Sequence, residues 1–547
     1  MRTITFSVLL GVVFLNPTPA LSAGNIEYSY AQQNNREEVL IQTSTLTTNE
    51  WYRCSLKTLL CTEASSTTTL EQPISATRAI LAVWKPLLPS GAQWLTLSPD
   101  FRYVAFFIPA TQYRKARTFG VFDTITKKTY TKKESVGYWD LLTEGVSLFS
   151  FSPDSKTLPY ISDVANYPTV HTVSLSSLSG SVLKSTQLFT RAYTVADVVW
   201  KDSDTLLYIA NRESPYQWSL YEYTLSKNKL EKIDDSISYA TPLQRIESDF
   251  LLAKNDSRGL YPVVYRGHSK TIETFNLPTT APIKTLGVEV GTLIEDLKGV
   301  YLREEGAKSH TLIVWLHGGP YRQNALGYHP YKSYGGYDWM LEIARQENVG
   351  VLKLDYAGSS GFGREYAESI SGDIGVADAV KTAKAITDFA QRNNYTDVYV
   401  AGNSYGGYLA LKLLVDEPSL YKGALSINGV ADWMTLLNAL NNSIFNVQFG
   451  GAPNESNYAL YNTASIYNGI DGLGLQKIIL AHGTDDKTIP YKQSLGLANA
   501  LERINKNVTL VPFEGEDHVF KKPESFTKLC ALLLTTVGKT NTGKCSL

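Results

Sequence analysis

The pattern of hydrophobic and polar positions divides the chain into two regions. From about residue 30 to 285, short apolar or alternating runs are broken by turn residues, without a helix-length amphipathic period. This pattern predicts an all-β region. After residue 290, continuous apolar runs alternate with longer segments of helical period, which indicates parallel strands joined by helices.

A strand-turn-strand unit recurs in the β region. Copies begin near Trp94, Phe149 and Val199, and the first two carry the turn Ser-Pro-Asp between their strands. A period of about 40 to 50 residues with such units is typical of β-propeller blades. The region's length predicts about five or six blades. A β-sandwich is the alternative, because the third copy is degenerate.

The segments after residue 290 predict a doubly wound, mostly parallel sheet. The predicted strands are Thr311–Leu316, Val349–Leu354, Val398–Ala401, Gly423–Ile427, Lys477–Ala481 and Val508–Pro512. A helix is predicted over Ala377–Arg392. The apolar positions expected on one of its faces are Val380, Ala383, Ile386 and Phe389.

The N-terminus has the layout of a cleaved secretory signal over residues 1–23. Arg2 precedes an apolar run from Ile4 to Leu15, and small residues follow a Pro-containing stretch. No later stretch reaches the roughly 20 apolar residues of a membrane span. We therefore expect a mature chain without a membrane span, secreted or periplasmic.

Four cysteines follow the predicted cleavage region, and an oxidising compartment would let them pair. The short-range pairs Cys54–Cys61 and Cys530–Cys545 are favoured among the three connectivities, with unpaired thiols as the alternative. Neither pair has histidines at zinc-ligand spacing, so no metal site is expected.

The charge balance argues against a polyanionic partner. Lys and Arg number 51 against 52 Asp and Glu, and no basic stripe with interleaved aromatics is present. We therefore expect no nucleic-acid partner.

A Gly-x-Ser-x-Gly turn at residues 402–406 follows a predicted strand and precedes an apolar helix. The flanking glycines permit a turn so sharp that the serine is exposed at the end of the strand. This nucleophile elbow predicts an α/β-hydrolase domain with Ser404 as the nucleophile.

Serine needs a base, and in this fold the chain order is serine, acid, histidine. That order leaves His482 and His518, and His518 is favoured because its loop directly follows the last predicted strand. The loop after His482 offers Asp485 and Asp486 as the acid, and the residues alone do not separate them.

Two backbone N–H groups are predicted to form the oxyanion hole. One is that of Tyr405, directly after the nucleophile. The other lies in the run 317–320, where Gly319 is favoured over Gly318. His317 precedes Ser404 in the chain, so we expect a structural role for it.

Together these motifs resemble the prolyl oligopeptidase family, most closely its dipeptidyl peptidase IV and acylaminoacyl-peptidase branches. The resemblance covers about residues 290 to 540 and rests on His317 to Pro320, Asp355 to Gly363, Gly402 to Tyr408, His482 to Asp486 and Glu514 to His518. It implies a propeller that caps an α/β-hydrolase domain, with the site between them.

The resemblance also implies roles for individual residues. The family's acid lies four residues after the histidine of the His-Gly-x-x-Asp motif, which is Asp486 here. By similarity, an apolar pocket for the residue before the scissile bond would be formed by Val430, Trp433, Phe445 and Ile489, with plain core packing as the alternative.

The sequence departs from the family pattern in three respects: two substituted positions, and a pair of propeller glutamates for which no counterpart can be aligned. Ala357 stands where arginine is usual, and Thr488 stands where arginine or asparagine often holds a substrate carbonyl. Glu213 is a candidate for the glutamates that grip a free amino terminus in the dipeptidyl branch, with an ordinary surface turn as the alternative.

The sequence therefore predicts a signal at 1–23, a propeller-like domain at 24–288 and an α/β-hydrolase domain at 289–547. The expected function is that of an exported serine peptidase acting on peptides or small proteins, without metal or organic cofactor. An esterase of the same fold and a non-catalytic binding protein are the alternatives.

Overall fold

The computed structural model of the chain describes residues 27–32, 38–44, 49–64, 76–109, 116–135, 150–239, 243–256, 259–277, 292–294, 297–304, 306, 308–325, 332–440, 443–540 and 543–545. The predicted signal at 1–23 lies outside the described residues. Among the residues described, no helix has both the length and the apolar character needed to cross a bilayer.

Within the described residues, the N-terminal region forms five small antiparallel sheets, each built from strands consecutive in sequence. The strands are β1 (Glu27–Gln32), β2 (Glu38–Ser44), β3 (Asn49–Ser55) and β4 (Cys61–Ala64); β5 (Gln93–Leu97), β6 (Tyr103–Ile108), β7 (Ala116–Asp123) and β8 (Thr129–Ser135); β9 (Thr157–Ser162), β10 (Thr169–Ser174) and β11 (Thr186–Gln187); β12 (Val195–Trp200), β13 (Thr205–Ser214), β14 (Gln217–Thr224) and β15 (Lys229–Asp234); β16 (Gln244–Ile246), β17 (Asp249–Asp256), β18 (Gly259–Arg266) and β19 (Thr271–Thr274).

The last of these sheets returns to the first. Val39 and Ile41 of β2 share an apolar cluster with Leu251 of β17 and Val264 of β18. Sheets that follow one another in sequence and meet again at the ends of the series form a ring, which is the arrangement of a propeller and not of a two-sheet sandwich.

The repeated turns have a common hydrogen-bond pattern. The hydroxyl of Ser98 accepts the backbone N–H of Tyr103 at 2.8 Å, and that of Ser152 accepts the backbone N–H of Thr157 at 2.9 Å. In the degenerate third copy, a carboxylate oxygen of Asp202 accepts the backbone N–H of Thr205 at 2.8 Å. Aspartate therefore replaces serine as the acceptor that closes this turn.

The C-terminal region contains a single sheet of eight described strands in the order β20-β21-β23-β22-β24-β25-β26-β27. The strands are β20 (Thr292–Ile294), β21 (Gly299–Leu302), β22 (Thr311–Leu316), β23 (Gly350–Leu354), β24 (Asp397–Asn403), β25 (Gly423–Ile427), β26 (Lys477–Gly483) and β27 (Val508–Phe513). The pairs from β23 to β27 are parallel, whereas β20 and β21 join antiparallel at one edge.

Helices cover both faces of this sheet, and two buried clusters lie on its opposite sides. The described helices are α1 (Ala76–Trp84), which belongs to the N-terminal region, and α2 (Lys332–Gln346), α3 (Arg364–Ala367), α4 (Ala377–Arg392), α5 (Tyr405–Asp416), α6 (Trp433–Leu440), α7 (Ser443–Gln448), α8 (Tyr458–Ala464), α9 (Lys492–Arg503) and α10 (Pro523–Thr536). The architecture is a mostly parallel α/β domain preceded by small antiparallel sheets, as the sequence predicted.

One detail of the predicted helical face is wrong. Ala383, Ile386 and Phe389 of α4 are buried, but Val380 is 66% exposed. At about 3.6 residues per turn, the nine residues from Val380 to Phe389 make about two and a half turns. The two side chains therefore lie on opposite faces of the helix.

The structure pairs the cysteines within each region. Cys54 and Cys61 face each other across β3 and β4, and Cys530 of α10 is joined to Cys545 near the C-terminus. Each disulfide therefore closes a short loop inside one domain.

Candidate active site

Ser404 lies in a strained turn between β24 and α5. Its backbone has φ 56° and ψ −121°, a conformation that non-glycine residues rarely adopt. A Cβ on Gly402 would lie 2.5 Å from the carbonyl oxygen of Leu316, and one on Gly406 would lie 1.9 Å from it. The two glycines of the motif are therefore required by the close approach of the turn to β22.

The side chains of Ser404, His518 and Asp486 form one hydrogen-bonded chain. Nε2 of His518 lies 3.0 Å from Oγ of Ser404, and its Nδ1 lies 2.8 Å from Oδ2 of Asp486. The three residues follow β24, β27 and β26, whose carboxyl ends meet at the same edge of the parallel sheet. This geometry suits a base that takes the serine proton and an acid that orients the base.

Asp486 is buried, whereas Asp485 is exposed. Oδ1 of Asp486 accepts the backbone N–H groups of Thr488 and Ile489, each at 2.8 Å. Burial by itself would raise the pKa of Asp486, but hydrogen bonds from His482 and His518 and from the backbone outweigh it and lower the pKa. The carboxylate therefore stays ionised and can stabilise a protonated His518.

His482 supports the acid and does not reach the nucleophile. Its Nε2 lies 2.8 Å from the carbonyl oxygen of Ile489, so this nitrogen carries the proton and donates. Its Nδ1 accepts from the hydroxyl of Ser494 at 2.7 Å. Nε2 also lies 3.4 Å from Oδ2 of Asp486.

The loop 317–320 lies against the nucleophile. A Cβ on Gly318 would lie 3.1 Å from Cβ of Ser404, and the N–H of Gly318 donates to Oδ1 of Asn403 at 3.2 Å. Since the Gly318 N–H is already bonded, Gly319 is the better candidate for the second oxyanion donor. Tyr405 is the first residue of α5, where a backbone N–H has no acceptor four residues earlier in the helix.

His317 is fully buried beneath this loop. Its ring stacks on Tyr356 with 4.6 Å between centroids, Nδ1 contacts the carbonyl oxygen of Gly318 at 2.8 Å, and Nε2 contacts Oγ of Ser359 at 2.9 Å. These contacts support the structural role expected for His317.

The four predicted pocket residues all lie in or against one apolar cluster beside the nucleophile. The ring of Trp433 is 4.9 Å from that of Phe445 and 5.9 Å from that of Tyr405, measured between centroids. Val430, Trp433 and Ile489 are buried, whereas Phe445 is partly exposed. Phe445 therefore offers the accessible apolar surface of this group.

Two positioning residues were not predicted from the sequence. Asn428, directly after β25, donates from Nδ2 to the carbonyl oxygen of His518 at 2.8 Å and accepts the N–H of Gly483 at 2.9 Å. Its position at the carboxyl end of a predicted buried strand was the signal that could have identified it. Glu516, 2% exposed, accepts the hydroxyl of Ser525 at 2.6 Å and so anchors the His518 loop to α10.

The two substituted positions and the candidate glutamate lie in different surroundings. Ala357 is buried in the core of the C-terminal domain, and Thr488 is exposed next to the acid. Glu213 is exposed on β13 and accepts the hydroxyl of Tyr221.

Comparison with known proteins finds the same family that the sequence motifs resemble. Residues 335–535 match the family model described as the Prolyl oligopeptidase family. Venom dipeptidyl peptidase 4 of Vespula vulgaris is 27% identical over 217 residues, 39% of this chain and 26% of the relative. The human acylamino-acid-releasing enzyme is 25% identical over 242 residues, 42% of this chain and 31% of the relative. The match thus spans less than a third of the length of these relatives.

Solved structures resemble nearly the whole chain. A puromycin-hydrolyzing peptidase of Mycobacterium tuberculosis aligns with a TM-score of 0.66 at 18% identity, covering 96% of this chain and 80% of that one. Dipeptidyl peptidase 4 of Porphyromonas gingivalis aligns with a TM-score of 0.63 at 14% identity, covering 89% and 67%. At these identities the likeness shows the shared fold of both domains.

Proposed function

We propose that the protein is an exported serine peptidase that cleaves peptide bonds in peptides or small proteins. The match of residues 335–535 to the prolyl oligopeptidase family supports this proposal. The observation that carries this proposal is the hydrogen-bonded chain from Ser404 through His518 to Asp486, with links of 3.0 and 2.8 Å.

The proposed reaction proceeds through an acyl-enzyme. Oγ of Ser404 attacks the substrate carbonyl carbon while His518 takes its proton and then gives it to the leaving amine. The N–H groups of Tyr405 and Gly319 stabilise the negative charge on the tetrahedral oxygen. A water molecule, activated by the same histidine, then hydrolyses the ester and frees Ser404.

The surroundings of the nucleophile support a small or extended substrate with an apolar side chain before the cleaved bond. The partly exposed ring of Phe445, which packs on the buried Trp433, suits proline, alanine or an aromatic residue. The turn of the propeller at residues 214–217 contacts the catalytic domain at Asp355, close to the loop 317–320. A propeller at this position would exclude folded proteins.

Export is supported by the two disulfides, since such bonds persist in oxidising compartments. Export also accords with the signal predicted at residues 1–23. Sequencing the N-terminus of the mature protein from the expressing cell tests it. A mature protein that begins at Met1 would contradict it.

An active-site-directed fluorophosphonate probe tests the nucleophile. We expect the wild-type protein to be labelled and Ser404→Ala to be unlabelled, because the probe reacts only with an activated serine. Ser456→Ala, at an exposed serine, is the control and should label as the wild type does. Equal labelling of Ser404→Ala and the wild type would contradict the assignment.

Cleavage of a peptide library, read by mass spectrometry, tests the reaction. We expect peptide products from the wild type and none from Ser404→Ala. Turnover of ester substrates without cleavage of any peptide would favour an esterase, and an unlabelled wild type would favour a non-catalytic binding protein.

A further inference from the structure

One residue of the propeller enters the core of the catalytic domain. Tyr216, in the turn between β13 and β14, is 8% exposed and belongs to an apolar cluster whose other buried members all come from the C-terminal domain. Its ring lies 5.9 Å from that of Phe362, and its hydroxyl donates to Oδ2 of Asp355 at 2.6 Å. Burial and the nearby Asp355 charge raise the pKa of Tyr216, so it remains a neutral donor.

Asp355 links this tyrosine to both ends of the loop that carries the proposed oxyanion donor. Its Oδ1 lies 3.3 Å from Nε2 of His317, the residue before the two glycines. The same oxygen accepts the backbone N–H of Asn324 at 2.8 Å and the side-chain amide of Asn324 at 3.1 Å. The loop 317–324 is thus closed at its base by one buried carboxylate.

A second contact joins the propeller turn directly to the loop 317–324. Nε2 of Gln323 donates to the carbonyl oxygen of Pro215 at 2.7 Å. A Cβ on Gly361 would lie 2.2 Å from Oε1 of Gln323, so only glycine leaves room for this side chain. The propeller turn is therefore bonded to the loop directly at Gln323, through Pro215, and indirectly at Asn324, through Tyr216 and Asp355.

We propose that Tyr216 is a positioning residue for the oxyanion hole: through Asp355 it holds the loop 317–324 in the geometry that aims the Gly319 N–H at the reacting carbonyl oxygen. The inference rests on the proposed function. On this proposal, the catalytic domain needs the docked propeller for its full reaction rate.

The physical reason is the precision that the oxyanion hole demands. A donor contributes fully only at hydrogen-bond distance from the developing oxyanion, and a misplacement of about 1 Å can lower a rate about 100-fold. Without the Tyr216 hydroxyl, Asp355 has a buried oxygen lacking its donor and will rearrange to satisfy it. Asn324 is hydrogen-bonded to that carboxylate and His317 lies against it, so both will shift with it.

The same interface supplies a matched control. The hydroxyl of Tyr167, in the propeller turn between β9 and β10, donates to the carbonyl oxygen of Phe362 at 3.1 Å. This hydrogen bond also joins the two domains, but it does not involve Asp355 or the loop 317–324. Tyr167→Phe therefore removes an interdomain contact without touching the proposed link.

The experiment compares wild type, Tyr216→Phe and Tyr167→Phe in the full-length protein by fluorophosphonate labelling at several probe concentrations. Such a small probe needs the nucleophile, the base and the oxyanion hole. We expect Tyr216→Phe to lower the maximal labelling rate about 10-fold without changing the half-saturating probe concentration. Tyr167→Phe should leave both constants unchanged, and the pH profile should keep its shape in each variant because His518 and Asp486 are untouched.

Gln323→Ala is the second variant, in case Tyr216→Phe does not fold. It should also lower the maximal labelling rate. An unchanged maximal rate in either folded variant, or an equal loss in Tyr216→Phe and Tyr167→Phe, would overturn the inference while leaving the proposed function standing. An unlabelled wild type would instead overturn the proposed function.

Discussion

Both domains bury a carboxylate whose pKa is held below its usual range, but their partners differ. In the propeller, Glu134 is 2% exposed and lies 2.7 Å from Nζ of Lys132 and 3.3 Å from Nη2 of Arg117. In the catalytic domain, Asp486 is 6% exposed and its partners are the imidazoles of His518 and His482.

The difference lies in whether the partner's charge is permanent. Lys132 and Arg117 are cations throughout, and Arg117 also donates to the carbonyl oxygen of Ile161 at 2.9 Å, which ties neighbouring sheets together. Histidine can be neutral in the resting enzyme and charged during the reaction. We therefore expect the propeller carboxylate to contribute to stability alone, and Asp486 to contribute to the rate in addition to stability. Substitutions at the two sites should separate these effects.

The largest expected effect is that of Asp486→Asn on the rate. An amide in place of the carboxylate fails to stabilise a protonated His518 and favours the wrong tautomer, so we expect kcat of the folded protein to fall about 10,000-fold. Because the pKa of Asp486 is also lowered in the folded protein, the free energy of unfolding should fall as well. The measurement is peptide or ester turnover together with thermal unfolding.

Asp485→Asn is the control for this prediction. Asp485 is exposed, so its substitution should leave kcat unchanged. A larger loss in Asp485→Asn than in Asp486→Asn would reverse the assignment of the acid.

The second expected effect is on the stability of the propeller. Burial alone would raise the pKa of Glu134, but Lys132, Arg117 and Tyr160 lower it from 4.5 to about 2. A lowering of this size corresponds to about 3 kcal/mol of folding free energy. Glu134→Gln should therefore lower the free energy of unfolding at pH 7 by about 3 kcal/mol while kcat of the folded protein is unchanged.

The sign of the pH dependence follows from the lowered pKa. The unfolded chain binds a proton at Glu134 more readily than the folded protein does, so this contribution is complete above about pH 4.5 and is lost as the pH falls towards 2. Glu134→Gln should flatten this part of the curve of unfolding free energy against pH. Glu231→Gln, in a more exposed ion pair, is the control and should cost at most about 1 kcal/mol.

The smallest expected effect compares the two disulfides. Cys530–Cys545 spans a sequence separation of 15 and Cys54–Cys61 one of 7. In the chain-entropy model, their loss costs about 3 and about 2 kcal/mol respectively. Denaturant unfolding of Cys530→Ser/Cys545→Ser and of Cys54→Ser/Cys61→Ser measures both, and a larger cost for the shorter loop would contradict the prediction.

Much of the fold followed from local pattern. The predicted strands Thr311–Leu316 and Gly423–Ile427 and the helix Ala377–Arg392 have these bounds in the structure, because continuous apolar runs and helical periods are properties of short segments. The exposed Val380 shows the limit of the same reasoning. Which apolar residue faces the core depends on the exact angle around the helix and on what packs there.

Some residues of the candidate site could likewise be predicted from the sequence, and others could not. Ser404 was recognisable because the elbow is a local motif, and His518 because chain order and its place after a strand are properties of the sequence. The residues alone did not separate Asp485 from Asp486, since the choice depends on which carboxylate the folded loop turns inward.

Contacts between distant segments could be found only in the folded protein. Tyr216 and Asp355 are 139 residues apart, and no periodicity or spacing links a propeller turn to the base of a loop in another domain. Local sequence was sufficient to predict the nucleophile elbow and the change from a β region to an α/β region, because each depends on neighbouring residues. The order of serine, acid and histidine could be read directly along the chain. The inward turn of Asp486, the structural roles of His317 and His482 and the link through Tyr216 were decided by tertiary packing, because burial and hydrogen-bond distance exist only once the chain has folded.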